Sequence, residues 1–209
     1  MDEIWQDLVK RYKKICKDGI IEPDIYNSLK GKDEPKILFV LKETNAFSGD
    51  LRELLKERPW KGIVRLIIGI LEDFPEYDEV EKILANQNKR IEYIKKAAVI
   101  NLKKTTGTSS SNPDVINAYA CRDKGLLKKQ IDDLIRPHYI IAGGTMSPLI
   151  WLLDLDIMPN NPVANSVKYK KIDAWVVPCR HHPSRDTKPR DTYSQLKKAI
   201  ENIKSNMCV

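Results

Sequence analysis

Residues 36–45 read KILFVLKETN. Five consecutive apolar residues, Ile37 to Leu41, give way at once to Lys42, Glu43, Thr44 and Asn45. The run is too short for a helix of its own and its flanks are charged or polar. It therefore reads as a strand buried on both faces, the kind found in parallel sheets. A carboxylate, a hydroxyl and an amide follow at its carboxyl end, the edge where open α/β sheets bind ligands.

Three further stretches repeat the pattern. Residues 97–102, AAVINL, break into Lys103-Lys104-Thr105-Thr106-Gly107, and residues 138–142 end at Gly143-Gly144-Thr145. Residues 174–178 run into the basic segment CRHHPSRDTKPR, and with 167–170 they read as a hairpin turning at 171–173. Helical patterns separate these strands. Trp5, Leu8, Val9, Tyr12 and Ile15 or Cys16 predict a first helix ending near Gly19, and Asp50 is placed to cap a short helix over 51–56. Residues 60–74 form a strongly apolar helix ended by Pro75, and 78–95 read as further helix. Ser111 or Asn112 before Pro113 starts another helix running to Ile135, broken at Gly125; Ser147-Pro148 opens a short one, and Tyr193, Leu196, Ile200 and Ile203 mark the last. Strands joined by helical crossovers imply an α/β three-layer sandwich around a central, mostly parallel sheet of about four or five strands. The expected organisation is a single domain over 1–209, with 1–34 as an N-terminal helical addition.

A chain of 209 residues can bury a sizeable core. No segment approaches the roughly 18 continuous apolar residues of a membrane span, and MDEIWQDLVKRYKK reads as an amphipathic helix rather than a signal peptide. Cys16, Cys121, Cys179 and Cys208 form no C-x-x-C pair, which argues for reduced thiols in a cytoplasmic protein and against a zinc site. The net charge of +7 is uneven: residues 1–84 carry 15 Lys/Arg against 18 Asp/Glu, residues 85–209 carry 21 against 11. A basic half of this size suits a polyanion such as nucleic acid, and it equally suits a well-solvated surface.

If the strands are parallel, their ends bring Glu43, Thr44 and Asn45, then Asn101, Gly143-Gly144 and His181-His182-Pro183-Ser184 to one edge. Glu43 is either a surface carboxylate paired with Lys42 or a functional group placed by a buried strand. Asn101 ends an apolar strand, where an amide is costly unless hydrogen-bonded; it either ties loops together or contacts a ligand. His181 and His182 lack a third metal ligand at suitable spacing. Gly143-Gly144 before a helix offers backbone N–H groups to an anion, and the hydroxyl run 105–111 offers donors or is a loop. The phosphate-binding G-x-x-x-x-G-K-[ST], the dinucleotide G-x-G-x-x-G and the G-x-S-x-G elbow are all missing.

In this order the pieces resemble the uracil-DNA glycosylase superfamily. Its members have a strand followed by a water-activating motif such as G-Q-D-P-Y, a later strand ending in a base-reading Asn, and an H-P-S loop near the C-terminus. The matching places are Leu41-Lys42-Glu43-Thr44-Asn45, Ile100-Asn101 and His182-Pro183-Ser184. Leu41 stands where the family has Gly, Thr44 where it has Pro, and Arg185 follows Ser184 with no apolar wedge behind it. The resemblance implies a DNA base glycosylase hydrolysing the N-glycosidic bond of uracil or another damaged base. Glu43 and His182 would be catalytic, and Asn101, Thr44 and Asn45 base-binding. Lys103, Lys104, Arg180, Ser184 and Arg185 would hold the nucleic acid. It calls for no cofactor or metal, and for a monomer acting on single- or double-stranded DNA or a nucleotide, away from membranes. The rival expectation is a catalytically silent nucleic-acid- or nucleotide-binding relative of the same fold.

Overall fold

The computed structural model describes residues 2–31, 34–108, 110–156, 166–180 and 188–207. The strands in chain order are β1 (Cys16–Lys17), β2 (Gly19–Ile20), β3 (Ile37–Leu41), β4 (Thr44–Asn45), β5 (Gly49–Asp50), β6 (Ala97–Asn101), β7 (Thr106–Gly107), β8 (Tyr139–Gly143), β9 (Val167–Tyr169) and β10 (Ala174–Cys179). The helices are α1 (Asp2–Arg11), α2 (Pro23–Ser28), α3 (Leu51–Glu57), α4 (Lys61–Leu71), α5 (Tyr77–Ala85), α6 (Gln87–Ile94), α7 (Pro113–Arg122), α8 (Lys124–Lys129), α9 (Met146–Leu152) and α10 (Pro189–Met207). A π-helical turn, Gln130–Ile135, continues α8.

β3 is buried along its whole length, and its alternation divides the core in two. Ile37, Phe39 and Leu41 pack with residues of α3 to α6 and α10, while Leu38 and Val40 pack with α2, α7 to α9 and the π turn. That split is what a strand covered by helices on both sides requires. The sheet order is β2-β6-β3-β8-β10-β9. β6, β3, β8 and β10 are mutually parallel, and the outer strands β2 and β9 run antiparallel to their neighbours. The fold is thus α/β with a central, mostly parallel sheet between helical layers, and its six strands exceed the four or five expected.

The additional strand is β2. Helical spacing from Trp5 to Cys16 extends the first helix on paper, but α1 stops at Arg11 and residues 16–20 turn extended. The segment before β3 is therefore more than a helical addition, since it supplies the edge partner of β6. The helix expected to break at Gly125 breaks at Asp123, whose buried carboxylate accepts from Arg11 Nη1 at 3.2 Å and the Tyr12 hydroxyl at 2.7 Å. Asp50 caps α3 as its position indicates, accepting from the Arg52 N–H at 3.0 Å. β9 and β10 form the anticipated hairpin, turning at Asp173 with a left-handed φ of 57°. The turn-rich stretch 159–165 lies outside the described residues.

One strand entry carries a titrating tie. His138, just before β8, accepts the Lys36 N–H on Nδ1 at 2.8 Å. Burial first, and then the Lys36 charge, hold this imidazole below its usual pKa. A depressed folded value means that its contribution to stability is full above the unfolded value near 6.5. It is lost as the pH falls through the folded value. Melting temperature should therefore decline on acidification below about pH 6.5, and less steeply in His138→Asn, which keeps an acceptor without a titrating ring. Thermal melts of both proteins across pH measure the difference.

Candidate functional site

The crossover leaving β3 runs over one face of the sheet through α3 to α6, and that leaving β8 begins on the other with α9. The carboxyl ends of β3 and β8 are thus the switch point, where chain leaving in opposite directions opens a crevice. Leu41 leans over Gly143 there, in space a Cβ would take at 2.8 Å, and Thr145 Oγ1 donates to Val40 O at 2.8 Å. The Gly144 N–H donates to Cys179 O at 2.8 Å, and α9 has only seven residues. The anion site read from Gly143-Gly144 is not formed, because its donors and its space are already used.

Beside the switch point, a cleft of about 520 Å³ opens between the end of β3 and helices α3 and α4. Leu41, Glu43, Thr44 and Asn45 line one side, Phe47, Leu51 and Leu54 another, and Trp60 to Ile63 the third. Trp60 is 37% exposed, an indole left at the lip. Thr44 is buried, with Oγ1 donating to Phe47 O at 2.9 Å, whereas Asn45 is exposed.

Glu43 is the charged group of greatest interest, its side chain 5% exposed although it lines the cleft. Its partner is Lys103, whose ammonium contacts Glu43 Oε2, donates to Thr106 O at 3.0 Å and lies 5.4 Å from the Tyr119 ring centroid. β4 pairs in parallel with β7, which sets Gly107 against Glu43. A Cβ on Gly107 would fall 2.2 Å from Glu43 Cδ and 2.3 Å from Oε2, so only glycine leaves room for this carboxylate. Gly107→Ala should displace it at a cost of about 1–3 kcal/mol, the usual range for overpacking. Denaturant unfolding measures that cost, and an unchanged midpoint would mean the carboxylate has room elsewhere.

Asn101 pairs in register with Leu41 and is completely buried. Its backbone N–H donates to Asp18 Oδ2 at 2.8 Å, its Nδ2 reaches the same oxygen at 3.5 Å, and its Oδ1 has no partner. It is outside the cleft lining. Lys104 is 1% exposed, and its ammonium donates to both Asp18 oxygens at 2.8 and 3.0 Å and to Gln130 Oε1 at 2.8 Å. Gln130 Nε2 completes the set with Asp18 Oδ1 at 2.9 Å.

The expectation that Lys103 and Lys104 hold phosphates is corrected by these contacts: both ammonium groups are buried and paired within the chain. Arg180 is exposed just past β10. His182, Ser184 and Arg185 lie outside the described residues. The structure thus brings Glu43, Thr44 and Asn45 together at the cleft and places Asn101 one strand away. Asp18, Gln130, Phe47, Trp60 and Gly107 escaped the sequence reading, and only Gly107, inside the Thr105–Gly107 break after a strand, carried a local signal.

Neither described thiol near this edge is a nucleophile at neutral pH. Burial first, then Asp18, pushes Cys16 up to about 12, and burial does the same to Cys179. Among the described residues no group of His, Cys, Asp and Glu is arranged to hold a metal ion, and no helix is long and apolar enough to cross a membrane.

Fold and site together define an α/β protein with a buried carboxylate at the carboxyl edge of its parallel strands, facing an aromatic-walled cleft. Comparison with protein-family models, curated proteins and solved structures returns no match to this chain.

Proposed function

We infer that this protein is a DNA base glycosylase, hydrolysing the N-glycosidic bond of uracil or another damaged base. The observation that carries the reading is Glu43: a carboxylate just past a buried parallel strand, shielded from water yet lining a cleft. The cleft volume of about 520 Å³ lies within the range of small-molecule sites, and the Phe47 ring and the Trp60 indole at its lip suit a planar heterocycle.

Breaking an N-glycosidic bond builds positive charge on the sugar and negative charge on the departing base. A carboxylate fixed against the sugar lowers the barrier by favouring the cation, as in glycoside hydrolysis. Here the Lys103 contact and the Gly107 backbone fix it before any ligand arrives. Asn101 Oδ1 is a buried acceptor still lacking a donor, but it lies outside the cleft lining, so this reading gives it no contact with the base. His182 would donate to the base oxygen as charge gathers there.

One observation favours the silent relative. Lys103 already neutralises Glu43, and a carboxylate held in a closed ion pair has less field to offer a cationic sugar. A panel of oligonucleotides carrying uracil, hypoxanthine or a G·T mismatch, followed by alkaline cleavage at abasic sites, separates the two. Strand breaks at the modified position support the glycosylase; binding without breaks across the panel supports the silent relative.

A further inference from the structure

A second surface, where the chain leaving α1 meets α7, is assigned no role by the cleft. The Tyr12 and Tyr119 rings stack with centroids 5.6 Å apart and planes 27° from parallel. The Arg122 guanidinium lies 4.6 Å from the first centroid and 4.4 Å from the second. Tyr12 cannot swing away, because its hydroxyl donates to the buried Asp123 at 2.7 Å. Lys10, Lys13 and Lys14, which flank Tyr12 in the chain, are exposed, as is Arg122. Among the described residues no carboxylate is in ion-pair contact with any of these four.

Exposed cations alone would suit any polyanion. A guanidinium ordered by two half-buried rings is more selective, since its exposed plane can stack an unpaired base while the lysines follow the phosphates. A membrane surface fits less well: Trp5 and Leu8 of α1 are buried, with Leu126 and Leu134 packed on them, and among the described residues of α1 and α7 only Val9 and Val115 are exposed large apolar side chains. The buried Lys103 lies between the two regions, touching Glu43 on one side and lying against Tyr119 on the other.

We propose that Tyr12, Tyr119 and Arg122, with Lys10, Lys13 and Lys14, form a binding surface for single-stranded nucleic acid. The surface stacks an unpaired base and grips the backbone beside it. That the strand continues to the cleft rests on the glycosylase reading; the surface itself does not.

The test is fluorescence anisotropy with a labelled oligothymidylate across a potassium chloride series, which requires no chemistry. Lys13→Ala/Lys14→Ala should lower the slope of log affinity against log salt by about 1.4, roughly 0.7 per lost phosphate contact. Tyr119→Ala should weaken binding by about tenfold, with Tyr119→Phe restoring it. Melting temperatures show that each variant is folded. Wild-type affinity and slope in both the lysine variant and Tyr119→Ala would overturn the proposal. So would equal affinity of the wild type for the matching duplex, for polyglutamate or for phosphatidylserine vesicles. If this pattern holds and no base is released from any oligonucleotide, the surface stands and the glycosylase reading falls. If base is released and neither variant alters binding, the surface falls alone.

Discussion

Glu43→Gln is expected to slow base release from a uracil-containing oligonucleotide by about a hundredfold to a thousandfold, the loss seen on removing one preorganised electrostatic group. Gln matches Glu in volume, so the space against Gly107 and the cleft wall are kept. Only the negative charge goes. Binding of the oligonucleotide should change little, because the group acts on charge that appears as the bond breaks. Single-turnover release and anisotropy on the same preparation give the two numbers. Lys103 then lacks its counter-ion, so a melting curve must show that the variant is folded. Equal release by variant and wild type would remove Glu43 from the chemistry.

The second large effect is on stability. Lys104→Met should cost about 3–5 kcal/mol, because it leaves the Asp18 carboxylate buried without its cation. For a chain of this size that corresponds to a fall in melting temperature of roughly 6–20 °C. Asp18 is fully buried and also holds the Asn101 N–H and Gln130, so its environment cannot rehydrate cheaply. The double variant Asp18→Leu/Lys104→Met should recover much of the loss, since a buried pair replaced by apolar groups is often neutral. A Lys104→Met protein with unchanged melting and weaker nucleic-acid binding would instead return this lysine to a surface role.

These two residues show where sequence reading ran short. The adjacent Lys103 and Lys104 look like a basic patch after a strand, but the chain bends past β6 and each side chain meets a buried carboxylate of its own. One lysine meets Glu43 and the other meets Asp18, 86 residues away in the chain. No local pattern marks Asp18, because its role exists only once β2 pairs with β6. β2 itself is only the two residues Gly19–Ile20, too few to show an alternating pattern after the helical spacing from Trp5 to Cys16. By contrast β3 was legible, since five apolar residues in a row leave a strand covered on both faces as the consistent reading. The Asp50 cap and the hairpin at Asp173 were legible for similarly local reasons. Glu43 was legible as a candidate from its place after β3, while its true partner was not: Lys103 holds it, and Lys42 does not.

A structure of Glu43→Gln with a uracil-containing single strand tests the central claim most directly. The account predicts the base out of its stack and inside the cleft, its flat face against Phe47. The sugar would lie at residue 43 and the His182 ring at a base oxygen. A base bound elsewhere, with residue 43 and His182 facing separate surfaces, would contradict it.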